Sequence, residues 1–107
     1  MGQQVWGIEL KLGIMLSSGP ESEDFHTVSK ISEAALSQGH GVSLFLMGDG
    51  VFHVGRLKRL AEQGAAVSLC SHNAHLRGVS RVDYVLFGNQ KDWADIVRES
   101  DRVMVFG

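Results

Sequence analysis

The residues with the most chemical potential in this chain stand together. Cys70, the single cysteine, is followed at once by Ser71, His72 and Asn73, with His75 two positions further on. An apolar run, Ala65-Ala66-Val67-Ser68-Leu69, leads into the thiol. The pattern reads as a buried strand that delivers Cys70 to a loop, with a short helix beginning after it. Unpaired backbone N–H groups and the positive end of a helix dipole favour a thiolate at such a handover. That bias matters because an ordinary thiol, with a pKa of about 8.5, is only a few per cent ionised at neutral pH. His72 or His75 would add to it if charged. A structural cysteine closing a buried strand fits the same pattern, since free cysteine is among the most buried residue types. Both readings stand at this point.

Other chemistries fit less well. Cys70, His72 and His75 are close in sequence, with Asp49 a candidate neighbour, but a structural zinc site wants a fourth ligand and usually a second Cys or His pair. The chain has no such pair, so no metal site is expected. His26, His40 and His53 are scattered and read as surface or partly buried side chains. Between Ser17 and Asp24 the sequence places Glu21, Glu23 and Asp24 where a phosphate-binding loop would meet a helix N-terminus, and these acids repel phosphate. There is no Gly-x-Gly-x-x-Gly and no P-loop. Gly48-Asp49-Gly50 taken alone is a tight turn. No flavin, nucleotide or other cofactor is expected. The residue types of a cysteine triad are present, but their spacing does not argue for one.

The elements that must position Cys70 follow from periodicity. Residues 1 to 7 read as a lead-in. Ile8 to Leu16 alternates Ile8, Leu10, Leu12, Ile14 and Leu16, the period of a strand. A helix is predicted from Pro20 or Glu21 to Gln38, with Pro20 at a first helical position and the three acids beside its positive end. Phe25, Val28, Ile31, Ala35 and Leu36 form its apolar face, and Gly39 closes it. Val42 to Met47 is a two-sided apolar strand. A second helix is predicted over Val51 to Gln63, with Val51, Val54, Leu57 and Leu60 inward and Gly64 at its end. Ala66 to Leu69 or Cys70 is the third strand, His72 to Arg77 a short helix closed by Gly78, and Arg81 to Phe87 a short fourth strand. Asn89 caps the last helix with Asp92 near its dipole, and Trp93, Ile96 and Val97 face inward. Arg102 to Phe106 is the final strand.

This rhythm predicts one domain over residues 1–107, an α/β three-layer sandwich with a mostly parallel five-stranded sheet and helices on both faces. Ligands of such sheets bind outside the carboxyl ends of the strands. The loops there, Ser17–Pro20, Gly48–Gly50 and Cys70–Asn73, are expected to meet on one edge. The bulk numbers are consistent with a small globular protein: 107 residues, 44% apolar, formal net charge −2. No basic stripe points to nucleic acid and no polybasic patch or long apolar run points to a membrane. One cysteine and no signal-peptide pattern point to a reducing, cytoplasmic location.

Four stretches, in this order, resemble the DsrE/DsrF-like family, which includes the TusD-like proteins of intracellular sulfur trafficking. They are Ile14 to Ser18 with the acidic helix start, GHGVSLFLMGDGV from Gly39 to Val51, VSLCSHNAHLRGV from Val67 to Val79, and DWADIVRESDRVMVFG from Asp92 to Gly107. The Gly-Asp-Gly-Val turn together with Cys-x-x-x-Ala-x-x-Arg-Gly-Val is the specific part. The resemblance implies that Cys70 matches the cysteine that carries a persulfide in the sulfur-relaying members. It implies assembly as a homotrimer or homohexamer, or as a hetero-oligomer with paralogous subunits, and exchange with sulfur donor and acceptor proteins. Cys70 is then the expected reactive residue. The amides of Ser71 to Asn73 and the His72 side chain are expected to stabilise its charge, and Asp49 to shape the adjoining loop. Arg77 is expected to be either a cation near the site or, the favoured reading, a solvated helix end. The rival expectation is a non-catalytic structural or regulatory subunit in which Cys70 is packing.

Overall fold

A computed structural model describes residues 9–107. Five strands, β1 (Lys11–Leu16), β2 (Gly41–Leu46), β3 (Ala66–Cys70), β4 (Leu86–Gly88) and β5 (Arg102–Phe106), form one sheet in the order β4-β3-β2-β1-β5. Every pairing is parallel. The connections carry α1 (Asp24–Ser37), a 3₁₀ helix (Gly48–Arg56) with α2 (Lys58–Glu62), α3 (Ser71–Leu76) and α4 (Gln90–Glu99). Stepping from β1 to β4 always moves the same way along the sheet, so right-handed crossovers put α1, the 3₁₀ helix, α2 and α3 on one face. The step from β4 back to β5 reverses direction and puts α4 on the other.

Strand alternation sorts the side chains to match. Ile14, Leu16, Val42, Leu44, Leu46, Val67 and Leu69 join Val28 of α1 and Val51, Val54, Leu57 and Leu60 in the main core. Phe45 points the opposite way, fully buried, with its ring 6.0 Å from that of Trp93 on α4. The two faces are unequally covered. In β5, Val103 pairs with Gly13 and Val105 with Met15, which places both valines on the α4 face, where they stay 41% and 62% exposed.

Several element boundaries differ from the sequence expectation, each for a local reason. The Ile8 end of the first strand lies outside the described residues. The first helix begins at Asp24, so Pro20 sits in the preceding turn. That turn is closed by Ser22 N–H donating to Gly19 O at 3.1 Å, and the Ser22 hydroxyl then accepts the Asp24 N–H at 3.0 Å. The expected Val51–Gln63 helix is instead a nine-residue 3₁₀ helix followed by a five-residue α-helix. Within the 3₁₀ segment the inward residues Val51 and Val54 stand three apart, which three residues per turn sets in one line against the core, while Leu57 and Leu60 face the core from the start of α2 and from within it. The fourth strand shrinks to Leu86–Gly88. Its expected first half leads in as a loop, anchored by buried Val85 and by the Tyr84 hydroxyl donating to Val54 O at 3.1 Å. No helix among the described residues is long and apolar enough to cross a membrane.

Candidate functional site

The carboxyl ends of the strands are tied into one edge by hydrogen bonds. Ser17 N–H donates to Phe106 O at 2.9 Å, joining the ends of β1 and β5. Met47 N–H donates to Leu16 O at 3.1 Å, joining β2 to β1. Gly48 N–H donates to the Asn73 side-chain oxygen at 2.8 Å, joining the loop after β2 to α3. Gln90 Nε2 reaches Met47 Sδ at 3.7 Å, joining that loop to α4. The approach at the loop after β2 is close: a Cβ on Gly50 would stand 2.0 Å from Leu16 O, so only glycine fits.

Cys70 ends β3 on this edge, 6% exposed, with extended backbone (φ −78°, ψ 110°) directly before α3. Its face follows from register. Ser68 pairs with Phe45, which packs towards Trp93, and Cys70 is two residues further along the same strand. The thiol therefore lies on the α4 face, while its neighbour Leu69 enters the main core. Cys70 pairs with Gly88 of β4. Where a Gly88 side chain would stand is the carboxylate of Asp92, 2.0 Å from the Cβ position. That carboxylate is held by a capping box: Asp92 Oδ2 accepts from Asn89 N–H at 2.8 Å, and Asn89 Oδ1 accepts from Lys91 N–H at 2.8 Å. Here α3 leaves β3 behind the sheet and α4 leaves β4 in front of it. The boundary between β3 and β4 is thus the topological switch point at which open α/β sheets form their binding crevice.

The other expected site residues divide into two groups. Asn73, Asp49 and Arg77 come together. Arg77 Nε donates to Asp49 Oδ1 at 2.8 Å and its guanidinium reaches Asn73 O at 3.3 Å. Arg77 is therefore paired to the loop after β2, not a free solvated helix end, and the three residues brace two loops. Ser71, His72 and His75 line a cleft of about 480 Å³ with Val79, Arg81 and Phe87. Phe87 pairs with Leu69 and so faces the α1 side. Cys70 and this cleft are on opposite faces of the sheet, and both histidines are exposed. Among the described residues, no three His, Cys, Asp or Glu side chains converge as metal ligands.

His53, expected as a surface or partly buried side chain, is fully buried beneath the same edge. Its Nε2 lies 3.0 Å from Ser18 O and its Nδ1 3.2 Å from Arg56 Nη1. Since a carbonyl only accepts and a guanidinium only donates, the ring carries its proton on Nε2 and is neutral. It stacks on Phe25 at 4.7 Å, and the Arg56 guanidinium covers the same Phe25 ring at 4.8 Å. Burial lowers the His53 pKa below its usual value. The Ser18 carbonyl opposes that shift and the Arg56 charge adds to it. The sequence signal for this trio is the spacing of three between His53 and Arg56, which has meaning only once the segment is known to be 3₁₀.

The chain is an α/β sandwich on one five-stranded parallel sheet, with a free thiol beside the switch point. The chain belongs to the DsrE/DsrF-like family, whose model matches residues 10–106. It is 29% identical, over an alignment of 117 residues, to an uncharacterized protein of Methanopyrus kandleri, covering 94% of this chain and 96% of that one. Among solved structures it resembles the YchN protein from E. coli with a TM-score of 0.80 at 23% identity, covering 91% of this chain and 99% of that chain. It also resembles a conserved protein of unknown function from Bacteroides thetaiotaomicron, with a TM-score of 0.69 at 12% identity over 90% of this chain and 94% of that chain. At these identities the two structures show the shared fold.

Proposed function

We propose that this protein is a cytoplasmic sulfur carrier of the sulfurtransferase type that holds sulfane sulfur on Cys70. The observation that carries the reading is the position of Cys70, a free thiol at the end of β3 beside the switch point, in a chain of this family. In the forward step the Cys70 thiolate attacks the outer sulfur of a donor persulfide, R–S–SH. The new bond is Cys70 S–S, the R–S bond to that sulfur breaks, and the donor leaves as R–S⁻. Cys70 then bears –S–SH. In the second step an acceptor thiolate attacks the outer sulfur and Cys70 leaves as thiolate. Ser71 and Asn73 shape the start of α3 beside the thiol, with Asp49 and Arg77 bracing the loop that Asn73 holds. His72 lies on the other face and tunes the thiol only indirectly. Donor and acceptor are protein thiols. Assembly with copies of itself or with paralogous subunits would bury the valines that α4 leaves exposed.

The test is mass spectrometry of the intact protein after exposure to polysulfide or to a persulfurated donor. The wild type gains one sulfur mass and Cys70→Ser gains none. Equal gain in both, or none in either, refutes the carrier. A second reading, a non-catalytic subunit in which Cys70 only packs, is favoured by the slight exposure of the thiol. A Cys70 that reacts with alkylating agents only after unfolding would support that reading.

A further inference from the structure

We propose that the cleft between α3 and β4 binds a small organic anion with an apolar body. Its polar lining is Ser71, His72, His75 and Arg81, and no carboxylate lines it. Arg81 is held at the wall by its own cleft: its guanidinium lies over the Phe87 ring at 5.1 Å. Among the described residues Arg81 forms no ion pair. Glu62 and Asp83 line the neighbouring hollow on its far side without pairing to it. The guanidinium therefore presents its N–H fork uncommitted, the geometry that takes a carboxylate or phosphate with two bonds. His72 and His75, three apart on α3, share one helix face and line the same cleft. Val79 and Phe87 supply the apolar floor.

The cleft, about 480 Å³, is open to solvent on one side, so a ligand would lie against its wall. The cleft also adjoins the boundary between β3 and β4, where the chain changes faces and open sheets form their binding crevice. Because Cys70 lies on the opposite face, this site does not rest on the carrier reading and stands or falls separately from it.

The experiment is an NMR titration of the isotope-labelled full chain with sodium benzoate, and in parallel with benzamide, its neutral isostere. Benzoate is expected to produce saturable shifts at Ser71 to His75, at the Arg81 side chain and at Phe87. Benzamide is expected to bind at least about tenfold more weakly. Arg81→Gln, at an exposed position, should leave the spectrum elsewhere unchanged and weaken benzoate by about tenfold. Arg81→Lys, which keeps the charge and loses the fork, should fall between. No saturable shift, equal binding of benzamide, shifts centred elsewhere, or full binding by Arg81→Gln would each overturn the proposal.

Discussion

Acidification should loosen the edge that holds Cys70 by charging His53. In the folded chain the ring must be neutral, because its Nδ1 accepts from Arg56 at 3.2 Å and its Nε2 donates to Ser18 O at 3.0 Å. A proton added at Nδ1 would meet a guanidinium donor and a like charge in a buried site, between Phe25 and the loop after β1. Glu21 favours the charged ring, but less than burial and the Arg56 charge oppose it. The folded pKa is therefore below the unfolded value of about 6.5, lowered chiefly by burial. The sign follows from linkage. The unfolded chain binds more protons, so the contribution is complete above about 6.5 and is lost as pH falls through the folded value. One proton limits the slope to about 1.4 kcal/mol per pH unit. The assay is urea unfolding across that range for the wild type and for His53→Gln, which preserves one donor but removes the titration and the stack on Phe25. The variant should be about 1–3 kcal/mol less stable near neutrality, through the lost acceptor for Arg56 and lost packing. The gap between the two proteins should narrow as pH falls, since they differ in no other ionisable group. A gap that is constant or widens on acidification would refute the reasoning.

Two further outcomes probe the same edge. Gly50→Ala should destabilise the fold by about 1–3 kcal/mol, measured by urea unfolding, because its Cβ would stand 2.0 Å from the Leu16 carbonyl oxygen and the loop must move. An unchanged midpoint would show that the loop after β2 is not packed as described. A double-mutant cycle of Asp49→Ala and Arg77→Ala should give a coupling of only about 0.2–1 kcal/mol, since the Asp49 side chain is more than half exposed and the pair is screened by solvent. Strict additivity would mean that the two residues do not brace the loops together.

Much of this architecture is legible in the residues alone. A strand buried on both faces must be largely apolar, as β2 is apart from Ser43, and a capping pattern such as Asn89 with Asp92 has one local use, so the parallel α/β rhythm and the start of α4 follow from local chemistry. The inward residues Val51, Val54, Leu57 and Leu60 are legible too, but a spacing of three suits an α-helix as well, and the α-helix expected there has the wrong pitch up to Arg56. Cys70 as the end of β3 also follows from local pattern. What local pattern cannot supply is which face a side chain meets. The thiol shares a face with Phe45 and α4 because of the parity of β3 and its register with β2, while His72 and His75 follow α3 to the other side. Adjacency in the chain suggested a Cys-His site; the pleat separates them. His53 is the same lesson inverted: a histidine between Phe52 and Val54 becomes a fully buried, neutral pin only because α1, the loop after β1 and the 3₁₀ helix converge on it. Residue types and spacing determine what each element is, since those forces act within a few residues. Partners across the sheet are decided by strand order, register and crossover handedness, which act between residues tens of positions apart.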